Sequence, residues 1–222
     1  MANNHYLTPE IISKLNNLSI KARFVVEGFI VGLHKSPYHG FSVEFSEHRS
    51  YGAGDEIRHI DWKPWGKTDR FFIKQYEEET NLKSYLLLDQ SLSMTYNSHY
   101  MSKLEYSKVL AASLSYLMLK QQDAIGLTLF DEKIRTNIPA KSKKSHLNLI
   151  LSQMQNTNPG PETKIAPVLH QAAEAIKKRG LIILMSDLFD DPEKIISGLK
   201  HFRYKGHEVI VFHILDPKEI SL

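Results

Sequence analysis

A chain of 222 residues can form one large domain or two small ones, and its 42% hydrophobic and 24% charged residues are ordinary for a folded globular protein. The net charge of +3 argues against a dedicated nucleic-acid binder, which usually presents a concentrated basic surface. The absence of cysteine excludes disulfides, thiolate zinc sites and cysteine nucleophiles, and it is compatible with the cytoplasmic location that we expect.

The beginning of the chain is predicted to be helical. A Thr-Pro-Glu sequence at residues 8–10 is a typical helix start, and a second helix is predicted over residues 20–33. The apolar run at residues 24–33 contains Glu27 and is about half the length of the twenty residues that a membrane span needs. We therefore expect no targeting segment and no membrane span.

Residues 34–80 combine charge, glycine and histidine with many aromatic side chains. Two stretches alternate as strands do, at residues 41–45 and 71–75. Aromatic side chains need an apolar surface to pack against. We therefore interpret residues 1–80 as an accessory segment packed on a main domain at residues 81–222.

From residue 83 onward, apolar runs alternate with amphipathic helical patterns. The predicted strands are residues 83–88, 124–130, 134–138, 181–185 and 209–215. The predicted helices are residues 104–120, one capped by Ser145, one after Thr163 and one capped by Asp191 with Pro192 in its first turn. Strands that are apolar throughout indicate a sheet covered on both faces. The predicted fold is a doubly wound, mainly parallel α/β domain.

The strongest chemical signal is the D-x-S-x-S sequence of Asp89, Ser91 and Ser93, directly after the strand at residues 83–88. Ligands of doubly wound sheets bind beyond the carboxyl ends of the strands. Thr163 precedes a predicted helix, and Asp187 follows the strand at residues 181–185. Asp89 alone could simply cap the next helix, but all five residues together favour a shared site.

These five residues would provide two carboxylates and three hydroxyls. Hard oxygen ligands of this kind suit Mg²⁺, with Mn²⁺ as a substitute. We expect Asp89 and Asp187 to repel each other in the absence of metal, because the motif contains no basic neighbour. Two acids leave a divalent ion able to accept a further carboxylate from outside.

The five residues resemble the metal-ion-dependent adhesion site of von Willebrand factor A-type domains. Upstream residues resemble a bacterial family called domain of unknown function 58, with the closest similarity in the string from His48 to Trp62. The matching residues are Gly32, Ser36-Pro37, Gly40, Glu44-Phe45, Arg49, Tyr51, Gly54-Asp55, Arg58, Ile60-Asp61-Trp62 and Arg70.

The resemblance implies a function that neither composition nor spacing shows. Members of the family resemble adaptor or assembly factors that work with MoxR-type AAA+ ATPases on client proteins. A partner would offer an acidic side chain to the metal. The family pattern continues past this sequence's last residues with another helix and strand, so we expect a shortened domain.

Several alternatives stay open. The stretch from Arg49 to Arg70 is either a docking surface or a set of ion pairs around Trp62, and we favour the ion pairs. The basic run at residues 133–146 lacks interleaved aromatics for base stacking, so we favour a solvated loop and no nucleic-acid partner.

Asp89 and Asp187 could instead serve a metal-dependent phosphoester hydrolase. We expect the protein not to be an enzyme, because neither a phosphate-binding arginine nor a glycine-rich phosphate-binding loop accompanies the motif.

Overall fold

The computed structural model describes residues 13–14, 17–33, 48–50, 72–74, 82–160 and 164–220. The chain divides into two compact units, the first containing residues 1–37 and 81–222 and the second residues 38–80. The segment predicted as accessory therefore contributes to both units. The helix start at residues 8–10 and the strand at residues 41–45 lie outside the described residues.

The second unit contains a short antiparallel strand pair. Strand β1 (His48–Ser50) pairs with β2 (Phe72–Lys74), with Arg49 opposite Ile73. Strand β2 lies within the stretch predicted at residues 71–75. Residues 51–71, which include most of the Arg49 to Arg70 stretch, lie outside the described residues, so the choice between docking surface and ion pairs stays a prediction.

The first unit is built on a five-stranded sheet with helices between its strands. Its elements in chain order are α1 (Leu18–Leu33), β3 (Lys83–Asp89), a 3₁₀ turn (Leu92–Thr95), α2 (Lys103–Lys120), β4 (Ala124–Phe130), β5 (Ile134–Lys141), α3 (Ser145–Gln155), α4 (Ile165–Ala175), β6 (Leu181–Ser186), α5 (Pro192–Tyr204), β7 (Glu208–His213) and α6 (Pro217–Ile220). The sheet order is β5-β4-β3-β6-β7. All neighbours are parallel except β5, which is antiparallel to β4. The predicted doubly wound, mainly parallel α/β fold is confirmed.

Strand β3 shows why these runs are apolar along their whole length. Leu86, Leu87 and Leu88 are completely buried. Successive side chains of a strand point to opposite faces. Leu86 and Leu88 pack in a core with helix residues such as Leu18, whereas Leu87 packs in a second core with residues such as Val168. Helices thus cover both faces, and α1, from the predicted accessory segment, supplies part of the first core.

Helix caps test the finer predictions. Asp191 caps α5 as predicted, because its side chain accepts a hydrogen bond from the backbone N–H of Glu193 at 3.0 Å. The predicted cap at Ser145 is wrong: Ser145 is the first helical residue of α3, and Lys144 occupies the cap position without a side-chain hydrogen bond. Across the described ranges, no helix is both long and apolar enough to cross a bilayer.

The order of the strands fixes where a ligand can bind. From the central strand β3 the chain moves to β4 and β5 on one side, then returns to β6 on the other side. The strand order therefore reverses between β3 and β6. In doubly wound sheets, the crevice at the carboxyl ends of such a pair is the usual ligand site.

Candidate functional site

The carboxyl ends of β3 and β6 bring the predicted acids to one edge of the sheet. Asp89 is the last residue of β3, and Asp187 directly follows β6. The Ser186 hydroxyl donates to Asp89 Oδ2 at 2.6 Å and so joins the two strand ends. Thr163, the fifth predicted ligand, lies outside the described residues.

Asp89 is completely buried and is held by neutral donors. Its Oδ1 accepts the backbone N–H of Ser91 at 2.9 Å, and its Oδ2 accepts the Ser186 hydroxyl. Burial raises the pKa of Asp89 to about 6, although the hydrogen bonds from Ser186 and Ser91 oppose this shift, and the charge of Asp187 adds to it. The repulsion by Asp187 that the sequence led us to expect therefore raises the pKa of Asp89 as well, but desolvation is the larger cause.

The two serines of the motif place their hydroxyls side by side. The hydroxyl oxygens of Ser91 and Ser93 are 3.0 Å apart, where β3 passes into the 3₁₀ turn. Ser91 forms an isolated parallel bridge with Gly160, whose N–H donates to the carbonyl of Gln90 at 3.0 Å. The loop that leads toward Thr163 is therefore tied to the end of β3.

Gly160 lies against a third buried aspartate. A Cβ at this position would stand 1.8 Å from Asp131 Oδ2. Asp131 follows β4, is completely buried and pairs with Arg135 Nε at 2.6 Å. The close approach of the Gly160 backbone requires a residue without a side chain.

Asp187 has a basic partner that the sequence analysis missed. Its Oδ2 accepts from Lys103 Nζ at 2.9 Å, and the same nitrogen donates to Glu219 Oε1 of α6 at 2.8 Å. The motif itself contains no basic neighbour, but Lys103, from outside the motif, pairs with Asp187. Asp187 Oδ1 is buried and has no hydrogen-bond partner among the described residues.

Lys103 is a buried cation at the first position of α2. Burial alone would lower the pKa of Lys103, but the hydrogen bonds and charges of Glu219 and Asp187 outweigh it and hold the pKa above its usual value. A lysine in the first turn of a helix opposes the helix dipole. That unfavourable position is the one sequence signal that could have indicated a carboxylate partner.

The donors fit a divalent ion. Asp89, Ser91, Ser93 and Asp187 offer hard oxygens at one edge, and an unpartnered buried acceptor such as Asp187 Oδ1 is rare in a folded protein. No group of three or more histidine or acidic side chains in the described part of the chain could hold a metal. The predicted site needs only two acids, so the donor set remains compatible with Mg²⁺ or Mn²⁺.

Large apolar side chains border this edge. Leu92, between the two serines, is 62% exposed, and Phe189, two residues after Asp187, is 57% exposed. The Phe189 ring centroid lies 4.9 Å from Lys103 Nζ. Asp190 accepts the backbone N–H of Ile165 at 2.9 Å and so binds the start of α4.

Comparisons with known proteins agree on the family and the fold. The family model described as "Protein of unknown function DUF58" matches residues 47–222. Uncharacterized proteins of Mycobacterium bovis and Mycobacterium tuberculosis are each 23% identical over 217 residues, which cover 96% of this chain and 68% of the relative.

Two solved structures are similar to part of this chain. An aerotolerance-related membrane protein from Bacteroides fragilis NCTC 9343 gives a TM-score of 0.51 at 21% identity, covering 59% of this chain and 66% of that chain. The conserved hypothetical protein BatB from Bacteroides thetaiotaomicron gives a TM-score of 0.47 at 20% identity, covering 59% and 65%. This chain spans just under two thirds of each, and the first likeness shows the fold alone.

Proposed function

Because this chain belongs to the DUF58 family and has a von Willebrand factor A-like α/β fold, we propose that it is a non-enzymatic, metal-dependent protein-binding adaptor. Asp89, Ser91, Ser93, Thr163 and Asp187 would hold Mg²⁺, or Mn²⁺ in its place. When bound, the ion supplies a Lewis-acidic position for a carboxylate of the partner.

The observation that carries this proposal is Asp187 Oδ1, which has no hydrogen-bond partner among the described residues. A buried acceptor without a donor is costly, and a cation at Oδ1 would relieve that cost. The paired hydroxyls of Ser91 and Ser93 offer further oxygens at the same sheet edge. Four of the five proposed ligands lie on the segments at the carboxyl ends of β3 and β6, where a doubly wound sheet usually binds its ligands.

The exposed apolar border supports a protein as the partner. Leu92 and Phe189 follow the two strands that carry the acids, and both present most of their surface to solvent. The buried centre of a protein interface is enriched in aromatic side chains, and the contacts around an energetically important group exclude water from it. We propose that the partner is a MoxR-type AAA+ ATPase or its client, which places an Asp or Glu at the metal and apolar groups on Leu92 and Phe189.

Whether partner binding requires the metal is tested by titrating the cognate ATPase against the full chain. Binding is measured in Mg²⁺, in chelator, and with Ser93→Ala and Thr163→Ala. We expect the Kd to rise about tenfold or more in each of the last three conditions, which corresponds to about 1.4 kcal/mol. Ser197→Ala, an exposed serine of α5, is the matched control and should bind as the wild type does.

Equal affinity in all conditions would reject a role of the metal in binding. The non-enzymatic assignment has a separate check: a Mg²⁺-dependent phosphatase activity that disappears in Asp89→Ala would replace the adaptor by a hydrolase.

The contribution of the exposed apolar side chains to partner binding is tested with Leu92→Ala and Phe189→Ala. Each should weaken partner binding by about 1–2 kcal/mol. Leu92→Ala should also leave the affinity for Mn²⁺ unchanged, because its side chain offers no oxygen. Ile196→Ala, which removes a comparably exposed apolar side chain from α5, is the control. An effect of Ile196→Ala equal to that of Phe189→Ala would show that this border is not the docking surface.

A further inference from the structure

Lys103 places a positive charge inside the edge of the domain that carries the acids. Its side chain is 2% exposed. A buried ammonium is costly unless acids and hydrogen bonds compensate it. Here the acids come from two separate parts of the chain, Asp187 after β6 and Glu219 in α6.

The surroundings keep this charge in place. Two of the three N–H donors of Lys103 are engaged by carboxylates, at 2.9 Å and 2.8 Å. The rings of Phe189 and Tyr96 lie 4.9 Å and 5.9 Å from Nζ, distances at which an aromatic face attracts a cation. The ammonium therefore cannot leave Asp187 for solvent without losing several contacts at once.

The two oxygens of Asp187 consequently have different roles. Oδ2 is occupied by Lys103, and Oδ1 has no partner among the described residues. A divalent ion that binds Oδ1 would share one carboxylate with an ammonium. The two positive charges repel each other, and this repulsion is strong in a buried, low-dielectric position.

We propose that Lys103 is an internal counter-cation that weakens metal binding in the free protein and so makes metal loading depend on the partner. This inference rests on the metal site of the proposed function. With Lys103 in place, the metal receives the charge of Asp89 and only part of that of Asp187. A carboxylate from the partner supplies the missing negative charge, so metal and partner bind with positive cooperativity.

The test is a calorimetric titration of the full chain with Mn²⁺ alone. We expect Lys103→Met to bind Mn²⁺ about tenfold or more tightly than the wild type, because a nearby like charge is removed. Lys103→Arg, which keeps the charge, should resemble the wild type. Lys205→Met is the matched control, because Lys205 pairs at 2.7 Å with Glu174, a side chain that is 66% exposed. It should leave the Mn²⁺ affinity unchanged.

Glu219→Gln gives an expectation of opposite sign. It removes the second acid from Lys103, which then pairs with Asp187 alone, so the Kd for Mn²⁺ should rise severalfold. Glu219 is only an indirect neighbour of the proposed ligands, and a merely structural role would leave the Kd unchanged. This variant decides the question if Lys103→Met does not fold.

Each outcome separates this inference from the proposed function. Equal or weaker binding by folded Lys103→Met, with wild-type binding that Asp89→Ala abolishes, overturns the inference and leaves the metal site standing. Binding by Lys103→Met but not by the wild type supports the inference in its strongest form. Absence of binding in every variant overturns both.

Discussion

The ends of β4 and β6 lie on either side of β3, and each is followed by a buried aspartate paired with a cation. Asp131, after β4, accepts at both oxygens: Lys133 N–H donates to Oδ1 at 3.2 Å and Arg135 Nε to Oδ2 at 2.6 Å. Asp187, after β6, accepts at Oδ2 from Lys103 and has no partner at Oδ1 among the described residues.

This difference shows what distinguishes a structural aspartate from a candidate ligand. Both carboxyl groups are buried and both are ion-paired, so neither burial nor charge separates them. The donors of Asp131 lie two and four residues further along the chain, Lys133 in the β4–β5 connection and Arg135 at the start of β5. Asp187 is paired with a lysine that lies far away in the sequence and also pairs with Glu219, and its Oδ1 has no partner among the residues that the structure describes. Of these two aspartates, Asp187 is therefore the better candidate for a ligand.

The largest expected effect comes from removing the cation of each pair. In chelator, we expect Lys103→Ala to lower the free energy of unfolding by about 3–5 kcal/mol, because it leaves a buried carboxylate uncompensated. Arg135→Ala should cost less, about 1–2 kcal/mol, because the Arg135 side chain is 33% exposed and Lys133 N–H remains on Asp131. Urea unfolding measures both values.

A double variant sharpens the same comparison. Lys103→Met combined with Asp187→Leu removes both charges and should recover most of the loss, since an apolar pair needs no compensation. If Lys103→Ala and Arg135→Ala lowered the free energy of unfolding equally, the difference in burial between the Lys103 and Arg135 side chains would not matter for stability.

The next effect is the response to metal. At a hundredfold excess over its Kd, Mg²⁺ should add about 2.7 kcal/mol to the stability of the wild type, because it binds only the folded chain. Asp187→Asn and Asp89→Ala should lose this gain, which thermal melts with Mg²⁺ and with chelator detect. Asp131→Asn should melt earlier yet keep the shift. Coincident melts of the wild type in both conditions would remove the distinction between Asp131 and Asp187.

The smallest effect concerns the backbone that packs on Asp131. Gly160→Ala should cost about 1–2 kcal/mol, because its Cβ would meet Asp131 Oδ2, which Arg135 holds in place. In an Asp131→Ala background the same substitution should cost little, so the two changes are coupled. Asn158→Ala, an exposed change in the same loop, should stay within about 0.5 kcal/mol. Additive costs would show that Asp131 does not restrict Gly160.

The sheet could be predicted because its central strands are buried on both faces. Leu86 to Leu88 and residues 181–185 form continuous apolar runs, and the strands end within a few residues of the predicted positions. The positions of Asp89, Ser91 and Asp187 could be predicted once the strands were known, since the carboxyl ends of parallel strands share one edge of the sheet. The helix cap at Asp191 could be predicted from its neighbours in the sequence alone, because an Asp followed by Pro and Glu is a typical helix start.

The partners of the acids could not be predicted, because sequence alone carries no distances between remote segments. Lys103 is 84 residues from Asp187 and 116 from Glu219, and Ser186 is 97 residues from Asp89. The error at Ser145 has a different cause: α3 begins one residue earlier than expected, so the serine falls inside the helix.

The pairing of β3 with β6 also determines when the site comes into existence. The β4–β5 hairpin joins near neighbours such as Phe130 and Ile134, whereas the Ser186–Asp89 hydrogen bond closes a loop of 97 residues. Contacts between remote segments stabilise the fold late, because the entropy of closing the loop must be overcome first. We therefore expect the edge between β3 and β6 to be completed after the rate-limiting step of folding. An ion bound there would lengthen the lifetime of the native protein by slowing unfolding and would leave the folding rate almost unchanged.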